Sequence, residues 1–344
     1  MHIVGEGDPH TTRVRSSLVA ALAAVLTVLV APPPAQAAAP TYVALGDSYA
    51  SGTGTRSYIA DGTSCQRSTY AYPSLIAAAS GYALNFRACS GARIADVTNT
   101  QLSALTPTTS YVSISVGGND AGFSDVLTTC ALPSWASNCD GAINGAQSYI
   151  RNSAPAQLAA LYAAIRTRAP SAVVVVVGYP RIFNGQDCNA LTWFSSSEET
   201  KLNATADLLN ATTAAQAEAA GFRFANPTTA FIGHAWCGSP EWINGLSYPI
   251  SESYHPNRSG HASGYTPTVS PQLTGAVVTV TRSVRAAARD AAGAQAALQR
   301  TYADADARIA PESFQRPDLR SPEVRRAAAR HGIDLDQWLA RQGL

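Results

Sequence analysis

The stretch "YVALGDSYASGTG", residues 42 to 54, runs from apolar chain into Gly-Asp-Ser and then into small residues, with almost nothing long or charged in between. Tyr42 to Leu45 reads as a strand, and four other short apolar runs share its character: Ala83 to Phe86, Tyr111 to Val116, Ala172 to Val177 and Phe222 to Ala225. Strands covered on both faces appear as continuous apolar runs instead of alternating ones. Between them lie stretches rich in Ala, Leu and Gln, namely Pro73 to Ser80, Ser153 to Arg168 and Ser197 to Ala220. Two of these open with the Ser-x-x-Glu or Ser-x-Pro character of helix starts. Alternating strand and helix predicts an α/β chain whose parallel sheet is sandwiched by helices. Ligands of such sheets sit at the carboxyl ends of the strands. Ser48 falls at that position, where it is either a small polar turn residue or a hydroxyl that attacks something.

Composition narrows the choice. Of 344 residues, 46% are hydrophobic and 14% charged, ample for a buried core, and the formal net charge of +1 gives no polyanion-binding signature. No nucleic-acid partner is expected, and small or neutral ligands fit better. Residues 1–37 read as an export signal: Arg13 and Arg15 flank an apolar run from Leu18 to Val30, and Ala35-Gln36-Ala37 offers a cleavage site. An uncleaved anchor is the alternative, but a span needs roughly 20 apolar residues and this run is shorter, so no stable membrane insertion is expected. Six cysteines follow the signal, an even number suited to three disulfides in an oxidising compartment. Pairing nearest neighbours (Cys65 with Cys89, Cys130 with Cys139, Cys188 with Cys237) staples one long loop per bridge and crosses none. There is no Cys-x-x-Cys and no zinc-like histidine spacing, so no metal site is expected. After about residue 270 the texture changes: residues 271–344 form an Ala/Arg-rich extension that reads as helical and solvated, with eleven Arg against eight Asp plus Glu from Arg282 onward. Helices packed on the main domain or a partly ordered tail is one reading of it. A partner- or wall-contacting role is the other.

Other strand ends carry polar groups. The run "YVSISV" ends in "GGND", which puts Asn119 at the same sheet edge as Ser48, and "ACSGA" after the second run presents Gly91, a backbone N–H with no side chain beside it. Either could be ordinary turn chemistry. A serine needs a base to become a nucleophile near neutral pH, and histidine is the usual one. In "SESYHPNRSGH" Pro256 is expected at a first helical position, leaving the His255 ring on the loop that faces the strand ends. His261 and His234 read as structural.

"GDS" after a strand, Gly91 in "CSGA", Asn119 in "GGND" and His255 in "YHPN" together resemble the four blocks of the SGNH, or GDSL-type, hydrolase family, in that family's order. Residues 41 to 270 look similar to secreted bacterial GDSL lipases and esterases with three disulfides. The resemblance implies a flavodoxin-like three-layer α/β/α fold and a secreted carboxylic-ester hydrolase working without metal or organic cofactor on a lipid or other small ester, as a monomer. It further implies Ser48 as nucleophile, His255 as base, and the Ser48 and Gly91 N–H groups with the Asn119 amide as oxyanion hole. One position departs from the family: the Asp usual three residues before the histidine is Glu252 here, so either its carboxylate or a backbone oxygen such as that of Ser253 would orient the ring. Phospholipase or carbohydrate acetylesterase activity would use the same machinery. The α/β-hydrolase alternative needs Gly-x-Ser-x-Gly, which is missing, and an exported binding protein would not need an activated serine. Tyr49, Trp193, Phe194, Trp236, Trp242 and Tyr248 either line an acyl pocket or pack the loops.

Overall fold

In the computed structural model, which describes residues 38–344 except Ser313, together with Gly5, Gly7 and His10, the five apolar runs form five strands. They are β1 (Thr41–Gly46), β2 (Ala83–Phe86), β3 (Tyr111–Ser115), β4 (Val173–Val177) and β5 (Arg223–Ala225), all parallel in the order β2-β1-β3-β4-β5. The export-signal reading of residues 11–37 lies outside the described residues.

Successive residues of a strand point to opposite faces, and both faces are dry here. Tyr42 and Ala44 of β1 join one core with Tyr72 and Ile76 of α2 (Tyr72–Ser80) and Val269 and Leu273 of α8 (Thr266–Thr274). Val43 and Leu45 join the other with Leu158, Leu161 and Ile165 of α6 (Ala154–Arg168) and Ala217 of α7 (Ser196–Ala219). The result is a three-layer α/β/α sandwich. Each fully buried Val, Leu or Ile in these layers contributes about 1.5–3 kcal/mol, so the two faces hold the sheet rigid under whatever sits at its edge. Further helices are α1 (Ser48–Ser51), α3 (Ile94–Asp96), α4 (Phe123–Cys130) and α5 (Cys139–Asn152). Three disulfides join Cys65 to Cys89, Cys130 to Cys139 and Cys188 to Cys237, the nearest-neighbour pairing. Among the described residues no helix is long and apolar enough to cross a membrane.

Residues 39–344 form one unit, the C-terminal extension included. Its helices are α9 (Arg282–Asp290), α10 (Ala292–Arg300), α11 (Ala303–Asp306), α12 (Pro322–Arg330) and α13 (Leu335–Arg341). Ala288 of α9 is buried against Leu75 of α2. On α10, Gln295 donates its amide to the Leu84 carbonyl at 2.8 Å, covering the free edge of β2. Asp306 is fully buried and ion-paired at 2.6 Å with both Arg67 and Arg87, which are themselves fully buried. The extension is therefore docked through its own charges and is not simply solvated.

Candidate active site

The opening stretch of sequence builds one half of the site. β1 delivers the chain to the carboxyl edge of the sheet, where Asp47 caps α1 by accepting the Tyr49 N–H at 3.0 Å, and Ser48 becomes the first helical residue. An amide at that position has no intrahelical partner. Beyond α1, Gly54 has a φ of +97°, and a Cβ there would come within 2.9 Å of the His255 Cβ and 2.7 Å of the Pro256 carbonyl. Only glycine lets the loop after the serine lie against the loop carrying the histidine.

That second loop is pinned from both sides. Asn244 donates its side-chain amide to the Gly54 carbonyl at 2.9 Å, and the Asn244 N–H donates to the His255 carbonyl at 2.9 Å. The Tyr49 hydroxyl donates to the Tyr254 carbonyl at 2.7 Å. His255 Nε2 lies 2.8 Å from Ser48 Oγ, and Nδ1 lies 2.8 Å from the Ser253 carbonyl oxygen. A carbonyl can only accept, so Nδ1 carries the proton and Nε2 faces the hydroxyl with its lone pair. Ser48 and His255 are 5% and 3% exposed. Burial pushes the imidazolium down to about 4, against a smaller opposing pull from the Ser253 carbonyl, so the ring is neutral at neutral pH. A neutral imidazole so placed can take the serine proton.

Glu252 is close in sequence but turned away. Its Oε1 accepts the Tyr58 hydroxyl at 2.6 Å and its Oε2 lies 3.4 Å from Arg56 Nε, while its own backbone carbonyl accepts from Asn244. Between the two ways of orienting His255 left open by the sequence, the backbone oxygen is the one in contact. Pro256 is also not where it was expected: it pairs with Ile243 in an isolated antiparallel bridge, and the following turn is capped by Asn257, whose Oδ1 accepts the Ser259 and Gly260 N–H groups. The proline fixes the loop by strand-like pairing, and the helical turns start after it. His261 is fully buried and accepts the Tyr72 N–H at 3.3 Å, and His234 stacks on Trp242 at 3.9 Å, both in structural positions.

Asn119 and Gly91 come to the same edge. Asn119 uses one amide hydrogen on the Ala92 carbonyl at 3.0 Å, which ties the loop after β3 to the loop after β2 and leaves the second hydrogen free to donate. Gly91 has a φ of +85°. What passes over its Cα is the chain's own residues 310–312: a Cβ would meet the Ala310 carbonyl at 2.3 Å and the Glu312 nitrogen at 2.8 Å.

Two groups beyond those singled out from the sequence support this edge. The Tyr179 hydroxyl at the end of β4 donates to Asp47 Oδ2 at 2.5 Å and accepts the Gly118 N–H at 3.2 Å, so one phenol links the serine turn to the asparagine turn. Burial pushes the Asp47 carboxyl up to about 7, partly offset by the Tyr179 and Tyr49 hydrogen bonds. Nothing in "VVVVVGYP" marks Tyr179 as more than the end of a strand. A cleft of about 690 Å³, open solvent at its mouth included, lies beside Ser48 and Asn119, walled by apolar side chains of α4, α5 and α7, including Val126, Ile150, Leu202 and Leu209. Of the loop aromatics weighed from sequence, Tyr49 lines it. Phe194 and Trp236 pack on each other and on Tyr254, Trp193 packs on Trp338, and Tyr248 is exposed.

Residues 44–263 match the GDSL-like Lipase/Acylhydrolase family model. The chain is 46% identical over 256 residues to Lipase 1 of Streptomyces coelicolor, covering 73% of this chain and 94% of that one. The extracellular lipase of Streptomyces rimosus superimposes with a TM-score of 0.65 at 45% identity, covering 68% of this chain and all of that one. Phospholipase A1 of Streptomyces albidoflavus does so with the same score and coverage at 42% identity. The chain belongs to the GDSL-like lipase/acylhydrolase family and is a carboxylic ester hydrolase of the SGNH type.

Proposed function

We propose that the protein is a secreted lipase or esterase that works through an acyl-enzyme on Ser48. The observation that carries the reading is the 2.8 Å contact between Ser48 Oγ and a neutral His255 Nε2, with the opposite ring nitrogen held by the Ser253 carbonyl. Ser48 Oγ attacks the ester carbonyl as Nε2 takes its proton. The carbonyl oxygen becomes an oxyanion that accepts from the Ser48 N–H, the Gly91 N–H and the free hydrogen of the Asn119 amide. His255 then gives its proton to the departing alkoxide, and a water, deprotonated by the same ring, releases the acid. No step needs a metal or organic cofactor.

The apolar cleft beside Ser48 supports an acyl chain well beyond acetyl as substrate, so a lipase or a phospholipase acting on the same acyl ester is favoured over a carbohydrate acetylesterase. Secretion is supported by the three disulfides and by the extracellular origin of the Streptomyces rimosus lipase. The test uses p-nitrophenyl esters from acetyl to hexadecanoyl together with an organophosphate probe. Ser48→Ala should lose both turnover and covalent labelling, and Asn119→Ala should keep labelling while losing about 10²–10³ in kcat. Labelling that persists at another residue in Ser48→Ala overturns the assignment, and turnover of acetyl esters alone overturns the acyl-chain reading.

A further inference from the structure

Residues 309–312 and 314–316 of the C-terminal extension, the strap, lie against three loops or helices that frame the site, those carrying Gly91, Tyr254 and Thr128. Ile309 is buried against the Cys65–Cys89 disulfide and Ala92, next to Gly91. The backbone of residues 310–312 then lies on the Cα of Gly91, and Glu312 ion-pairs with Arg93. Phe314 is buried with its ring 5.0 Å from that of Tyr254, the residue before His255, and the Gln315 N–H donates to Thr128 Oγ1 on α4 at 2.9 Å. None of these residues lines the apolar cleft, whose walls come from α4, α5 and α7.

The chemistry assigns each side a part of the ester. The oxygen of the leaving alcohol must come within reach of His255 Nε2 to be protonated, so with the acyl chain in the cleft the alcohol is directed to the His255–Tyr254 edge. Phe314 of the strap packs at that edge, on the ring of Tyr254. The family match ends at residue 263, ahead of the strap in the chain.

We propose that residues 309–312 and 314–316 form the leaving-group wall of the active site and set its specificity, admitting slim alcohols and resisting bulky ones until Phe314 is displaced from Tyr254. This rests on the Ser48 ester-hydrolase reading. The test compares octanoate esters of methanol and of a dialkylglycerol, with the acyl group held constant. Glu312→Ala and Phe314→Ala should each raise the kcat/KM ratio of the dialkylglycerol ester to the methyl ester by about tenfold, the scale of one apolar pocket contact. A ratio unchanged in both folded variants overturns the wall while leaving the hydrolase reading intact; no turnover of either ester by the native protein overturns both. A second arm needs no variant. Octylphosphonates that lose p-nitrophenolate to Ser48 leave either a methoxy or a dialkylglyceroxy group on phosphorus, and only the larger adduct should speed amide hydrogen exchange across residues 309–312 and 314–316. Equal exchange in both adducts overturns the proposal.

Discussion

Replacing Glu252 by glutamine distinguishes two ways of holding the histidine. A carboxylate that fixes the tautomer of a catalytic imidazole is worth roughly 10⁴ in kcat. Here the His255 Nδ1 proton goes to the Ser253 carbonyl at 2.8 Å, and the Glu252 carboxylate spends its two oxygens on Tyr58 and Arg56. Glu252→Gln keeps an acceptor for the Tyr58 hydroxyl and loses the charge. A hydrogen bond to a charged group is worth about 1.5–3 kcal/mol and a neutral one about 0.5–1.5, so the cost is about 1 kcal/mol of stability, and the Arg56 partner, 60% exposed, adds little. At this size that is a fall of about 2–4 °C in Tm. The expected result is kcat within about tenfold of the native value, three decades above what loss of a triad carboxylate would leave. The assay pairs initial rates on a soluble ester with thermal unfolding of the same preparation. A loss near 10⁴ in kcat with the Tm only slightly lowered would refute the reasoning, because the carboxylate would then have to reach the ring in the reacting enzyme.

The acid limb of kcat/KM should lie near pH 4, since burial lowers the His255 pKa to about 4 and the base is lost only as pH falls through that value; a limb between pH 6 and 7 in rapid assays would show a solvated ring. The same shift has a stability counterpart. Folded pKa values of about 4 for His255 and about 3 for His261, against about 6.5 when unfolded, mean stability that is present above pH 6.5 and lost as pH falls through 4, whereas the raised Asp47 pKa of about 7 works the opposite way, its stability lost as pH rises through 7. Asp306→Asn leaves the fully buried Arg67 and Arg87 without their shared carboxylate, a loss of about 3–5 kcal/mol and a drop of roughly 6–20 °C in Tm; a drop below about 2 °C in calorimetry would mean that water reaches the pair.

The strands were legible because burial on both faces removes polar residues from them, and each apolar run lands within a residue or so of its strand. The same logic located the site, since only the carboxyl edge of a parallel sheet collects residues as far apart as Ser48, Gly91, Asn119 and His255. The helices α4 and α5 were not read from sequence. "CDGAINGAQSYIRN" carries two glycines and few large apolar residues, although Ile143, Ala146 and Ile150 form a stripe at helical spacing that marks its buried face. With those helices missing, the aliphatic walls of the cleft were missing too, and attention went to loop aromatics that pack on one another. For the extension, packing of its helices on the main domain was one of the two readings and is what the fold has, but its buried charges were not legible. Its charges are mixed along the sequence, and nothing local tells Asp306, buried between two arginines, from Asp304, exposed on the same short helix.

Gly91 is where the extension meets the candidate site. From the sequence it is a bare donor that a substrate approaches. In the fold its φ of +85° already favours glycine, and the strap adds a second demand, because the Ala310 carbonyl would sit 2.3 Å from any Cβ. The loop carrying Gly91 follows β2 directly and begins with Arg87; Arg67 donates to its Ala88 carbonyl at 2.9 Å, and both arginines close on Asp306 of the extension. The extension thus meets this stretch twice, through the ion pairs of Asp306 with Arg67 and Arg87 and through the backbone of residues 310–312 on Gly91. A purely peripheral tail needs neither contact. A segment that shapes the approach to Gly91 requires both, since a wall can select among alcohols only if the loop it leans on is held against being pushed aside.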